Sequence, residues 1–217
     1  MAPPTGRNLR LWAELLLLFI AAPVIMATEL PSSFMWPALA TVAVIGIVLL
    51  SITPGFRWRD LVSRRGLRID WVVVAVFVVI AIAVCIALTV WLVPERLFGF
   101  PQGKTKMWLV VMVAYPLVSA IPQELVFRVL FFERYGHLFP NIGVAIALNA
   151  GLFGLAHLFY WNWPAVVLTT AAGAIFAWAY ASRQSFGMAC LLHALGGQIV
   201  FTVGMGIYFF HGAVGRV

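Results

Sequence analysis

Apolar residues come in this chain in unbroken runs of about twenty, and that length restricts what it can fold into. A run of that size crosses the roughly 30 Å hydrocarbon core of a bilayer as a helix. The other spanning solution, a barrel, needs alternating segments of about ten residues. Seven runs have the length to cross, at 11–27, 36–53, 71–93, 107–135, 141–160, 163–181 and 186–210. With 64% hydrophobic and 10% charged residues, the chain has too little polar surface to cover a water-soluble globule. The predicted fold is an all-α polytopic membrane protein with about seven transmembrane helices, six to eight being the range, in a single helical bundle around an intramembrane cavity. One transmembrane domain is expected over 1–217, in which 1–106 carries no readable motif and 107–210 forms the core that holds the chemistry.

Tryptophan and proline punctuate the ends of the runs. Trp36, Trp71, Trp91, Trp108, Trp161 and Trp163 fall near expected interfaces, and Pro31, Pro54, Pro94, Pro101, Pro140 and Pro164 at or beside boundaries. The fourth run is longer than a bilayer requires, so it is expected to tilt, to extend into the cytosol, or to break near Pro116 or Pro122. The formal net charge is +7, but the arginines collect between apolar runs instead of on one face, so no nucleic-acid partner is expected. Placing the N-terminus inside puts Arg7, Arg10, Arg57, Arg59, Arg64, Arg65, Arg68, Arg134 and Arg183 on the cytoplasmic side, against Arg96, Lys104, Lys106 and Arg216 outside. That excess predicts a cytoplasmic N-terminus. The basic stretch 56–68 is the main determinant, with contact to anionic headgroups as an added role. Arg7 and Arg10 before an apolar stretch resemble a signal peptide, but the length of that stretch and the lack of a clear cleavage site make it a first span. Cys85 and Cys190 lie in apolar runs and read as small hydrophobes, with no disulfide framework.

Ionisable groups placed in hydrocarbon cost several kcal/mol, roughly, and so tend to pair or to line a wet cavity. The polar run Gln123-Glu124-Leu125-Val126-Phe127-Arg128 and the lone His157 and His193 are such groups. On a helix, Glu124 and Arg128 share a face and can form an ion pair, whereas Gln123 points about 100° away from Glu124. One of the two neighbours can then face a cavity while the other braces Arg128. Purely architectural pairing is the competing reading for Glu124 and Arg128. Asn149, Phe153 and His157 form one stripe at i, i+4 and i+8, and Cys190, His193 and Gly197 another. The helix depths of Glu124, His157 and His193 allow all three to meet near mid-membrane.

The run QELVFR at 123–128 resembles an EExxxR motif, FGLAH at 153–157 fits FxxxH, and HALGG at 193–197 resembles HxxxN. In this order, on consecutive late spans, the trio is similar to the CPBP family, which holds the CAAX prenyl proteases of the glutamic intramembrane type and bacteriocin-processing and immunity homologues. The resemblance implies an intramembrane endopeptidase that needs no cofactor, in the plasma membrane of a bacterium or archaeon. Its substrate is then a small membrane-associated protein that is lipidated, leader-bearing or C-terminally tagged. In such enzymes the first glutamate of the pair and the FxxxH histidine activate water, and the last histidine and the asparagine stabilise the oxyanion. Carried over, His157 assists water activation, His193 donates to the oxyanion, and Glu124 with Arg128 holds the constellation; Phe153, Gly197, Gln198 and Asn149 are candidates for substrate contact.

Two positions depart from the pattern. Gln123 stands where the general-base glutamate belongs, and an amide cannot take a proton from water at neutral pH. The chain is therefore expected to be catalytically impaired, whether as a trapping variant, as a natural pseudoprotease, or with Glu124 taking over as base. Gly197 stands at the asparagine, so one oxyanion donor is missing; Gln198 can substitute, or the Gly196-Gly197 pair can let substrate backbone approach, which is the expected outcome. A zinc site built from the carboxylate and two imidazoles is a weaker alternative, since His-Glu-x-x-His spacing is absent. A Cys190–His193 thiol dyad is weaker still. Outside the proteases, a noncatalytic immunity or chaperone factor is the rival, while a transporter is disfavoured because no inverted repeat shows in the hydropathy.

Overall fold

In the computed structural model, residues 6–209 are described; Phe210 and Arg216 lie outside them, as does the side chain of Arg7. The described residues contain helices and no strand. Six helices are long and apolar enough to cross a membrane: α1 (Asn8–Thr28), α3 (Trp71–Leu92), α4 (Thr105–Leu138), α5 (Ile142–Tyr160), α6 (Trp163–Ala181) and α7 (Phe186–Val203). A shorter apolar helix, α2 (Trp36–Ser51), lies between the first two. The polytopic all-α expectation is met, with the second run falling just short of spanning length.

Helix starts are written locally. Asp70, Asn141, Asn162 and Ser185 each accept a hydrogen bond from the backbone N–H three residues on, at 3.3, 2.9, 2.9 and 3.0 Å. Each thereby satisfies one of the donors that a helix N-terminus leaves open, which fixes the start of α3, α5, α6 and α7. Pro164 in the first turn of α6 gives up an N–H that had no partner there. Val72, Val79, Val113 and Leu117 project from the bundle at 55% exposure or more, as side chains that meet lipid do.

α4 corrects one expectation: it does not break at either proline. Its 34 residues stay helical because the turns at Pro116–Ala120 and Leu125–Tyr135 widen to the π form. A wide turn relieves the clash of the pyrrolidine ring with the preceding carbonyl, and such turns also re-aim the side chains that follow. At 1.5 Å per residue the helix is about 50 Å long, more than a bilayer core takes up, so its far end reaches beyond the hydrocarbon. α5 and α6 pack closely because Gly154 and Gly173 face each other's helix. A Cβ at Gly173 would lie 2.9 Å from the ring of Phe153, so this glycine makes the room that ring needs.

Arg134, expected as a loop charge, is instead 8% exposed and tied to the first span. Its Nη2 lies 2.7 Å from Glu14 Oε2, its Nη1 donates to Thr53 Oγ1 at 3.2 Å, and Glu14 also holds Arg10 at 2.9 Å. This knot clamps α1 and the end of α2 to α4. Removing the guanidinium leaves Glu14 facing a half-buried site with only an exposed partner, a loss of about 3 kcal/mol by analogy with broken buried pairs. Arg134→Ala is expected to lower the thermal midpoint of the purified protein in detergent clearly, and an unchanged midpoint would show that the knot holds nothing.

Candidate active site

The centre of the bundle is organised by a buried cation. Arg128 is 0% exposed, and so is Glu124 one helical turn before it, with Nε and Oε2 3.4 Å apart. The guanidinium rests on aromatic faces, 4.4 Å from the centroid of Phe153 and 5.7 Å from that of Phe176. Cation–π contact of this kind strengthens where water is excluded. Glu124 spends its other oxygen on the last helix: Oε1 accepts from His193 Nδ1 at 2.8 Å. One carboxylate thus joins α4 to α7 and neutralises Arg128 at the same time. His193 is further gripped by Phe176, stacked on it at 4.9 Å and 15°.

Gln123 turns the other way. Its Nε2 donates to Ser119 Oγ at 2.8 Å, and its side chain lines a cavity of about 200 Å³. His157 and His193 line that same cavity, together with Phe153, Tyr115, Ser119, Gly196 and Gly197. His157 Nδ1 lies 2.8 Å from the carbonyl of Phe153. A carbonyl can only accept, so Nδ1 carries the proton and Nε2 keeps its lone pair. For His193 the same reasoning leaves Nε2 as the ring nitrogen available to the cavity. Gln123 and Ser119 also border a second, mostly apolar cavity of about 220 Å³ against Trp36, Leu39 and Ala43 of α2. A further cavity of about 630 Å³ lies beside the basic stretch 55–66 and touches none of the motif residues.

Glu124 and Arg128 do not line the 200 Å³ cavity, and neither do Asn149 and Gln198. Asn149 is fully buried and donates to the Phe127 carbonyl at 2.5 Å, locking α5 to α4. Gln198 donates to the Met112 carbonyl at 2.8 Å, on the side of α7 that meets α4. The NH2 groups of both amides are thus committed to backbone carbonyls, while Asn149 Oδ1 stays without a hydrogen-bond partner among the described residues. The sequence leads one to expect a substrate backbone beside Gly197, but the space a Cβ there would enter is filled by the ring and hydroxyl of Tyr115. Gly204, with φ +133°, sits against the Arg96 carbonyl and ends α7 well before residue 210.

Several cavity residues were not anticipated from sequence, Tyr115, Ser119 and Phe176 among them. Tyr115 and Ser119 precede Gln123 by eight and four residues, the helical stripe that would have marked them, and Phe176 belongs to a span without motif residues. Among the described residues no three His, Cys, Asp or Glu side chains are grouped to hold a metal ion. No curated protein and no solved structure matches the chain. Residues 105–197, which supply Tyr115, Ser119, Gln123, Phe153, His157 and His193 to the cavity, match the family model described as type II CAAX prenyl endopeptidase Rce1-like, in agreement with the CPBP resemblance of the three motifs.

Proposed function

We propose that this protein is an intramembrane endopeptidase scaffold of the glutamic type, acting on a membrane-associated protein or peptide, with activity impaired by the amide at residue 123. The observation that carries this reading is the shared cavity of Gln123, His157 and His193 inside the apolar spans. With a carboxylate at 123, water held between that group and His157 Nε2 gives up a proton and attacks the peptide carbonyl. A carboxylate stripped of bulk water is a stronger base, and general-base help of this kind contributes about 10²–10⁴-fold. The Ser119 hydroxyl, now accepting from Gln123, turns to donate to the carboxylate and orients it. His193, held through Nδ1–H by Glu124, donates from Nε2–H to the developing oxyanion as an imidazolium. Glu124 is enclosed and engaged on both oxygens, so it serves as a brace and not as a replacement base.

Gln123→Glu is expected to create cleavage of short peptides, assayed with and without an S-prenylated cysteine, in purified protein with or without chelator. A rise of about 10²–10⁴-fold that survives chelation supports the glutamic mechanism. Activity lost to chelator and regained with zinc would overturn it, and a fully inert Gln123→Glu protein would favour the noncatalytic binding factor instead. In the Gln123→Glu background, His157→Ala is expected to lower kcat by about 10²-fold or more with little change in KM, because the imidazole acts on water and not on the ground-state peptide. A change confined to KM would remove His157 from the water-activating role.

A further inference from the structure

The motif asparagine is missing, yet its space is filled. A side chain at residue 197 would begin where the Tyr115 ring and hydroxyl already sit, so the phenol from α4 occupies the volume that an asparagine from α7 would take. Tyr115 lines the same cavity as Gln123, His157 and His193, and its ring lies 6.0 Å from that of His193. Its other contact is an edge-on ring contact with Phe201 at 5.6 Å, and among the described residues its hydroxyl has no hydrogen-bond partner. A phenol in the wall of this cavity, with its hydroxyl against Gly197 and without a hydrogen-bond partner, has a donor free for an acceptor bound there.

We propose that Tyr115 is a catalytic residue, the second oxyanion donor of this centre, in place of the asparagine that Gly197 replaces. The assignment rests on the peptidase reading above. In the step concerned, the water oxygen bonds to the peptide carbon and the carbonyl π electrons move to oxygen. The water proton passes to the base at residue 123, and the phenol O–H and the His193 Nε2–H hydrogen-bond the resulting oxyanion without giving up their protons. Collapse re-forms the carbonyl, breaks the C–N bond, and returns the proton from residue 123 to the leaving amine. A phenol suits the role because it stays protonated through the neutral range, whereas His193 donates from Nε2 only when doubly protonated.

The test uses the full chain carrying Gln123→Glu as the parent. Tyr115→Phe in that parent removes only the hydroxyl and is expected to lower kcat by about 10²–10³-fold with KM within about twofold, the signature of a lost oxyanion donor. Exchanging the two side chains, Tyr115→Ala with Gly197→Asn, vacates the volume and returns an amide donor, and is expected to recover activity to within about tenfold of the parent. The matched exchange Tyr115→Ala with Gly197→Leu, which refills the volume without a donor, is expected to stay slow, so recovery with asparagine alone separates donation from packing and stands in for Tyr115→Phe should that variant fail to fold by circular dichroism. An active parent whose Tyr115→Phe form keeps kcat within twofold overturns the Tyr115 assignment and leaves the peptidase reading intact. The assignment also falls if the exchanged variant folds but stays as slow as Tyr115→Ala alone. A parent with no cleavage at all overturns both.

Discussion

The guanidinium of Arg128, enclosed at the middle of the bundle, is neutralised by Glu124, and the position of that carboxylate determines how α4, α5, α6 and α7 come together. A lone buried charge would cost several kcal/mol, roughly, so the pair must stay together, and among the described residues Arg128 is held by that ion pair and by aromatic faces, with no hydrogen bond to its guanidinium. His193 takes one carboxylate oxygen, and Phe153 and Phe176 cover the cation. Each of these partners also touches the cavity. The pair therefore borders the site without lining it, and Glu124 fixes the orientation of His193.

Adjacent residues with opposite duties follow from helical geometry. Residues 123 and 124 point about 100° apart, so one can be sealed in the protein while the next faces an opening. The wide turns before and after this segment shift the register further, which lets Gln123 and Ser119 line the cavity while Glu124 stays behind them. An amide at 123 changes the chemistry of the opening and leaves the buried pair untouched. The fold is therefore indifferent to whether an amide or a carboxylate stands at 123.

Much of this was legible in the chain because the membrane makes polarity scarce. Spans could be read from apolar length alone, since a helix is the solution that meets its own backbone hydrogen bonds in lipid. The buried pair, the two histidines and their common cavity followed from asking where ionisable side chains in hydrocarbon would go. What sequence missed were choices between faces that only packing decides. Asn149 sits on the same stripe as His157 yet spends its amide on the Phe127 carbonyl, and Arg134, which looked like a loop charge, turns inward to Glu14. Sequence left open whether the long fourth span breaks at Pro116 or Pro122; it stays helical because a π turn absorbs the steric conflict that would end an α-helix.

Gly197 illustrates a more general point about motifs read along one helix. A hydrogen-bond donor in a cavity is defined by where its hydrogen points, and any helix bordering the cavity can supply it. When a side chain disappears from one wall, the close-packed interior leaves no void, and whatever fills the gap inherits the position. Here the filler is a phenol, which carries a donor at its tip and apolar bulk along its length. The loss of asparagine from the HxxxN pattern is thus a gap in a sequence motif without a matching gap in the polar lining, because the compensating residue sits 82 positions earlier, on α4.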